Sequence, residues 1–454
     1  MAETLSSDLL DVWVEDHLGL RQVGVLERFA EAGHAFQSTV AFHYLDGLAD
    51  TDAVSITMPV RRAAYQPKVA GLIGNLPPIF DQNMPEGALR DYLARRYLKV
   101  IDDLGDFDLL RLAGNRSIGR VRVVPHGEQP DPRRPDSPGV AAVLKDANAQ
   151  RLLESLFEQL ARYSGVSGVQ PKVLMEARDE PHLATPKLSG AHRLTLQNES
   201  TIIKAAGRDF PSLSINEYLC LYACQMSGLP TARTELSENG EVLAIARFDR
   251  DELGRPLGFE DMACLSALTA QDKYKGSYEE MVRRLALMIE PARRHAVLLQ
   301  LYQQIVMSCV LGNGDAHLKN FGLLYIDPTQ PAWLAPAYDV CCTTAYLRED
   351  QMALSMNRSK AFPNRAGLIL FGRVACRLAP SEIERVFENV AVGVEYAAVE
   401  LEHYRAMYQE FDVRCGEAMR REWETSMRYA LGFDHDYRLP KTHDDVASSR
   451  PVVP

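Results

Sequence analysis

Several features that would set a chain apart from ordinary soluble enzymes are missing here. No apolar run approaches the ~18 residues needed to cross a bilayer, and the opening MAETLSSDLL lacks the basic region and apolar stretch of an export signal. The expectation is a cytoplasmic protein without a membrane partner. The eight cysteines are scattered, and none falls in a C-x-x-C or Cys/His zinc pattern, so reduced and mostly buried thiols are expected. A basic excess is also missing: 50 Lys and Arg face 61 Asp and Glu, a net charge of −11. That argues against the broad basic face of a protein that binds nucleic acid mainly by itself, while leaving room for a local patch or a DNA-binding partner. There is no internal repeat, no Walker A motif and no G-x-G-x-x-G.

What is present is ordinary in bulk, with 46% apolar and 24% charged residues. At ~100–200 residues per domain, 454 residues suffice for two or three units, each with its own core. The clearest break is His126 to Gly139, with four prolines in fourteen residues and no large apolar side chain, which reads as a linker. It divides an N-terminal α+β unit (1–125) from the rest. In that unit, strand-like runs cover Leu10–Val14, Val54–Met58 and Gly119–Val124, with a helix at Gly87–Leu98. Beyond the linker, a helix is expected at Ala147–Tyr163, then strands at Val169–Met175, Thr201–Ala205 and Glu241–Phe248. Helices then dominate: Asn216–Ser227, Leu298–Leu311, Glu382–Tyr404 and Cys415–Ala430. This gives a strand-rich part over 140–250, a helical lobe over 251–437 and a polar tail over 438–454, read as disordered. The fold class is α+β; the order suits a bilobal enzyme with a strand-rich N-terminal part, a helix-rich C-terminal lobe and a cleft expected between the lobes.

The strongest local signal is LGNGDAHLKNFGLL, Leu311 to Leu324. An apolar helix ends at Gly312-Asn313-Gly314, which can turn sharply. Asp315 then sits in a loop, with Asn320 five residues on. A strand-like run begins at Phe321, turns at Asp327-Pro328 and returns through Trp333 to Tyr338, and Asp339 closes it. Phosphoryl transfer needs a carboxylate to accept the proton of the attacking hydroxyl and oxygen ligands to hold magnesium against phosphates. Protein kinases space an Asp, an Asn five residues later and a second Asp after a strand–turn–strand in this order. D-x-x-x-x-N alone is common and carries little. Joined to the hairpin and Asp339, it favours the catalytic reading over a turn former, a cap and a surface acid. His317 and Lys319 could both meet phosphate, although either alone is more often a surface group.

Three further segments are ambiguous in isolation. In TIIKAA, Thr201 to Ala206, Lys204 ends a buried-looking strand and is either a phosphate-pairing lysine or an exposed strand end. Glu217 could partner Lys204 from a helix, but Ser214-Ile215-Asn216-Glu217 also reads as a capping box, and that explanation ranks slightly ahead. SGVSGVQPK, Ser164 to Lys172, could cradle phosphates with its N–H groups or be an ordinary turn. AIARFDR, Ala244 to Arg250, could present backbone groups to adenine or be a strand end with a charged turn.

Together these segments resemble the HipA family, the kinase toxins of type II toxin–antitoxin modules. The matching stretches are SGVQPK, TIIK, Asn216-Glu217-Tyr218, RFDR, GDAHLKNF and PAYD, in family order. In the N-terminal region Asn75-Leu76-Pro77, Tyr97 and the stretch from Asp108 to Gly119 look similar as well. The resemblance implies an ATP- and Mg2+-dependent protein Ser/Thr kinase. Asp315 would accept the proton, and Asn320 and Asp339 would hold magnesium, with Asp339 also at the nucleotide. Lys204 would contact ATP phosphates, and Ser167, Gly168, Val169, Gln170, Pro171 and Lys172 would form the phosphate loop. Ala246, Arg247 and Phe248 would line the adenine site, and His317 would lie near the phosphates. Substrates of the family are often aminoacyl-tRNA synthetases. The usual partner is a small helix-turn-helix antitoxin, through which DNA would be contacted. Two departures matter. Ala246 stands where the family often has an acid, and Gly165 stands at the position of the autophosphorylated serine, leaving Ser164 and Ser167 as neighbouring hydroxyls. A sugar- or aminoglycoside-type small-molecule kinase and a non-enzymatic co-repressor are the competing readings.

Overall fold

The computed structural model describes residues 8–30, 38–66, 76–84, 105–130, 144–145, 172–175, 200–205 and 210–448. In chain order, the N-terminal elements are β1 (Asp8–Asp16), β2 (Gly19–Ala30), β3 (Ser38–Tyr44), α1 (Asp106–Ala113) and β4 (Val121–Pro125). Next come β5 (Lys172–Met175), β6 (Thr201–Ala205), α2 (Leu213–Met226), β7 (Thr234–Leu236), β8 (Val242–Ala246) and β9 (Gly258–Asp261). The remainder is α3 (Tyr278–Met288), α4 (Pro291–Leu311), β10 (Gly322–Tyr325), β11 (Trp333–Leu334), α5 (Arg365–Val374), α6 (Pro380–Met407), α7 (Glu417–Leu431) and α8 (His443–Ser448). The expected α+β character, strand-rich first and helix-rich later, is what the chain adopts. Contacts divide it into two compact units, one of residues 1–204, 246–272 and 322–332, the other of 205–245, 273–321 and 333–454.

In the first unit the N-terminal strands form an antiparallel sheet in the order β3-β2-β1-β4. Period-two alternation builds its core: Leu10, Val12 and Val14 of β1 are fully buried, joined by Val23 and Leu26 of β2. Helix α1 covers β4 with Phe107, Leu109 and Leu110. The run Val54–Met58, expected as a strand, is instead a tight turn. Met58 N–H returns to the Ser55 carbonyl, and the Ser55 hydroxyl and Ile56 N–H both donate to the buried Glu260 carboxylate. An internal acceptor thus outcompetes a sheet partner. Strand β9 pairs antiparallel with β10, and the Tyr325 hydroxyl donates to Glu260 as well, at 2.7 Å. The hairpin β5–β6 sets Lys172 opposite Lys204. The expected helices at 87–98 and 147–163 lie outside the described residues.

In the second unit α4 is the central helix, buried almost continuously from Leu301 to Leu311. Helices α6 and α7 pack against it, and α6 also lies along α2. The Trp423 indole, on α7 and fully buried, donates to the Leu311 carbonyl at the end of α4. Each expected helix of this region is present with shifted bounds: α2 starts three residues earlier and ends one earlier, α4 starts seven residues earlier, α6 is longer at both ends, and α7 starts at Glu417 after a π-helical turn over Asp412–Gly416. Helix α3 escaped the sequence reading, although Ser277 caps it by accepting from Glu280 N–H. The stretch read as a disordered tail contains α8, with Leu439 and Val446 buried. Among the described residues no helix is long and apolar enough to cross a membrane.

Candidate active site

The site grows from the carboxyl end of α4. Gly312 takes a left-handed conformation, φ +70°, which ends the helix; a Cβ there would lie 2.2 Å from Thr344 Oγ1. Hydrogen bonds hold the turn. Asn313 N–H returns to the Ser308 carbonyl, Gly314 N–H donates to Thr343 Oγ1 at 2.7 Å, and Asp315 N–H donates to Asn313 Oδ1. The backbone of Asp315 is therefore fixed, while 48% of its side-chain surface remains accessible.

Asn320 ties the two expected acids together. Its Nδ2 donates to the Asp315 carbonyl at 3.0 Å and to the Asp339 carbonyl at 3.3 Å. The returning segment is anchored separately: Ala337 N–H donates to the Pro230 carbonyl, and Ala232 N–H to the Ala337 carbonyl. Tyr338 donates to the Lys319 carbonyl at 2.7 Å. Immediately after, Asp339 sits at φ +57°, a left-handed conformation that Asp tolerates better than most residues but that still costs about 1 kcal/mol or more. Sequence spacing alone does not show this strain. Asp315, His317, Lys319, Asn320 and Asp339 are thus brought into one loop system, His317 and Lys319 being buried rather than on the surface. A small pocket of about 10 Å³, room for one water, lies behind it between Ser308, Asn313, Asn320 and Asp339.

The electrostatics of Asp315 suit a proton acceptor. Burial pushes its carboxyl pKa above the usual range, and the Asp339 and Asp350 carboxylates push the same way. The Tyr274 hydroxyl, donating to Oδ1 at 2.7 Å, and the Lys273 ammonium oppose this. His317 Nε2 lies 4.0 Å from the other carboxylate oxygen. Tyr274 was not singled out from sequence, because nothing local marks a tyrosine 41 residues upstream as a neighbour of Asp315.

The remaining expected residues belong to other parts of the fold. Lys204, on β6, is buried, so it is not an exposed strand end. Ser167, Gly168, Val169, Gln170 and Pro171 lie outside the described residues. Lys172 opens β5. The Ser214–Glu217 capping box does not form. Helix α2 begins at Leu213 after Ser212, which is left-handed and makes no side-chain cap, and the Ser214 hydroxyl donates to the Glu241 carbonyl instead. Glu217 lies within the helix and is buried. At the AIARFDR segment, Ala246 and Phe248 stay partly exposed, and Phe248 meets the Phe259 ring edge-on. Arg247 is turned inward: its N–H donates to the Ser200 carbonyl, and its guanidinium binds Asp249 through Nε at 2.8 Å and Nη2 at 2.5 Å. Asp249 also accepts from Gly119 N–H and Arg250, so this charged motif is a buried ion cluster.

Comparison with known proteins gives the family and the fold. Residues 164–398 match the HipA-like C-terminal domain, and residues 10–124 match the HipA N-terminal domain. Y4dM of Sinorhizobium fredii, provisionally named a kinase, is 31% identical over 305 residues, 63% of this chain and 67% of that protein. Y4mE of the same organism, also provisionally named a kinase, is 29% identical over 59% of this chain and 64% of its own length. The fold of the HipA chain from Shewanella oneidensis MR-1, solved as a complex with HipB and operator DNA, covers 92% of this chain and 98% of that one, with a TM-score of 0.63 at 19% identity. With the C-terminal family model spanning more than half of its residues and the N-terminal model preceding it, this chain belongs to the HipA family.

Proposed function

We propose that this chain is an ATP- and magnesium-dependent kinase that phosphorylates serine or threonine in a protein, as the toxin of a type II toxin–antitoxin pair. The observation that carries the reading is the Asn320 amide, which joins the backbones of Asp315 and Asp339 and leaves the Asp315 carboxylate half-open to an incoming hydroxyl. Asp315 takes the proton of the acceptor hydroxyl as its oxygen attacks the γ-phosphorus, the bond from that phosphorus to the β,γ-bridging oxygen breaks and ADP leaves; an upward-shifted carboxyl suits the proton-accepting role. In this reading Lys204 would pair with phosphate oxygens, and the Ser167–Pro171 segment that leads into β5 at Lys172 would offer backbone N–H groups to them. Ala246 and Phe248 remain candidates for the adenine site, whereas the Arg247 guanidinium is committed to Asp249.

The residues present fit magnesium. Both hydrogen bonds of the Asn320 amide leave from Nδ2, so Oδ1 is its ligand atom, and Asp339 adds a carboxylate. Among the described residues no group of three or more His, Cys, Asp or Glu could hold a metal; in this reading nucleotide phosphates would supply the remaining oxygen ligands. When bound, it supplies positive charge against the transferring phosphoryl group.

A translation protein such as an aminoacyl-tRNA synthetase is the substrate class, and a small helix-turn-helix antitoxin the partner. The HipB–operator complex of the Shewanella fold relative supports such a partner. Self-phosphorylation at Ser167 or Ser164 would add ~−1.5 to −2 charge to the phosphate loop and switch the kinase off. The test is labelled ATP with the purified chain alone, with small-molecule acceptors and with cell lysate, using Asp315→Asn as control. Label in a lysate protein, at least ~10²-fold weaker with the variant, is expected. Label confined to sugar or aminoglycoside acceptors, or no transfer at all, overturns the reading.

A further inference from the structure

Resting on that reading, the geometry points to Tyr274 as a positioning residue that orients the Asp315 carboxylate and leaves Oδ2 to receive the acceptor's proton. A free carboxylate on a half-exposed loop rotates about its terminal torsion and presents either oxygen. Here Oδ1 accepts a 2.7 Å hydrogen bond from the Tyr274 hydroxyl. Tyrosine is itself tied to the same loop at two other points. The Lys273 carbonyl next to it accepts from Leu318 N–H at 3.1 Å, and its ring stands edge-on to His317, with centroids 5.1 Å apart and an interplanar angle of 79°. One turn further, Tyr278 donates to the Ala316 carbonyl at 2.9 Å. Lys273 to Tyr278 thus clasps the loop from Asp315 to Leu318 through four contacts, and 45% of the Tyr274 surface still faces solvent. A hydroxyl held this way moves with the loop, so it fixes the base rather than covering it. Phosphoryl transfer depends on such alignment, and an ångström of misplacement can cost ~10²-fold.

The experiment is Tyr274→Phe in the full-length chain, alone and combined with Asp315→Asn. Phenylalanine keeps the ring on His317 and removes only the hydroxyl. The expected result is a turnover about 10-fold lower or worse, with the KM for ATP and the melting temperature unchanged. In the Asp315→Asn background the same substitution should cost nothing further, because the hydroxyl acts only through that carboxylate. Equal losses in both backgrounds, or a turnover that rises when the hydroxyl is removed, overturn the assignment, the latter by making Tyr274 a plug. An active wild type that Asp315→Asn silences and Tyr274→Phe leaves untouched overturns this inference alone. A wild type without phosphotransfer removes the kinase reading and this inference with it.

Discussion

In the proposed reading, Asp315, Asn320 and Asp339 divide the work by chemical type, and each is marked out by its place in the sequence. Asp315 is a carboxylate in a loop after an apolar helix, Asn320 an amide five residues later, and Asp339 a carboxylate after a hairpin. What spacing did not reveal is how they are held. One Asn320 Nδ2 bond reaches the Asp339 carbonyl 19 residues on, and Asp339 takes a left-handed backbone that spacing does not encode. In the proposed reading, Asp339→Ala removes a charged ligand and Asn320→Ala a neutral one. Titrating magnesium against ATP affinity should therefore show a large loss for Asp339→Ala and a milder one for Asn320→Ala. An unchanged magnesium requirement in Asp339→Ala would remove this residue from the metal site. Asn320→Ala carries a second cost, because the Asp315 and Asp339 carbonyls lose their shared donor.

At the scale of the element, α4 and its end decide where Asp315 can stand. The apolar run predicted the buried part of the helix, and Gly312-Asn313-Gly314 predicted its stop. Gly312→Ala tests that stop. Alanine must adopt φ +70° at a cost of about 1–2 kcal/mol, and its Cβ would meet the buried Thr344 hydroxyl at 2.2 Å. Chemical denaturation should show destabilisation of at least about 1–2 kcal/mol, and phosphotransfer should fall with it because the loop is displaced. The capping box at Ser214–Glu217 shows where local reading failed. Its pattern is correct, but Ser214 finds the Glu241 carbonyl, and the helix begins at Leu213, two residues before the start that box would set. A short motif scores only its own hydrogen bonds, whereas the fold offered a competing acceptor.

Charge buried within the first unit sets how the whole molecule should respond to acid. Burial pushes the Asp249 carboxyl up, but the charges of Arg247 and Arg250 and the bonds from Arg247 and Gly119 overcome it and hold it well below the usual carboxylate range. A depressed carboxylate contributes stability that is present above its unfolded pKa, about 3.9, and is lost as pH falls through the folded value. Glu260 has the opposite sign: burial raises it despite donors from Ser55, Tyr325 and Ile56. Its protonated form is favoured in the fold, so that contribution is present below about 4.3 and lost as pH rises through the folded value. Asp249→Asn removes the carboxylate shared by the buried Arg247 and the part-buried Arg250 and should cost about 3–5 kcal/mol. Denaturation from pH 5 to pH 2 should show a shallower acid loss in that variant than in the parent, and parallel profiles would mean that Asp249 is not the acid-sensitive group. The sequence by itself determined the α+β class, the family, the helices of the second unit and the order of Asp315, Asn320 and Asp339, because periodicity and motif spacing are local quantities. Only the tertiary structure decided that RFDR is a buried ion cluster, that Val54–Met58 turns around Glu260 and that Tyr274 reaches Asp315. Those outcomes depend on which distant group supplies a hydrogen bond or a counter-charge in a place water cannot reach, and a linear pattern does not encode that choice.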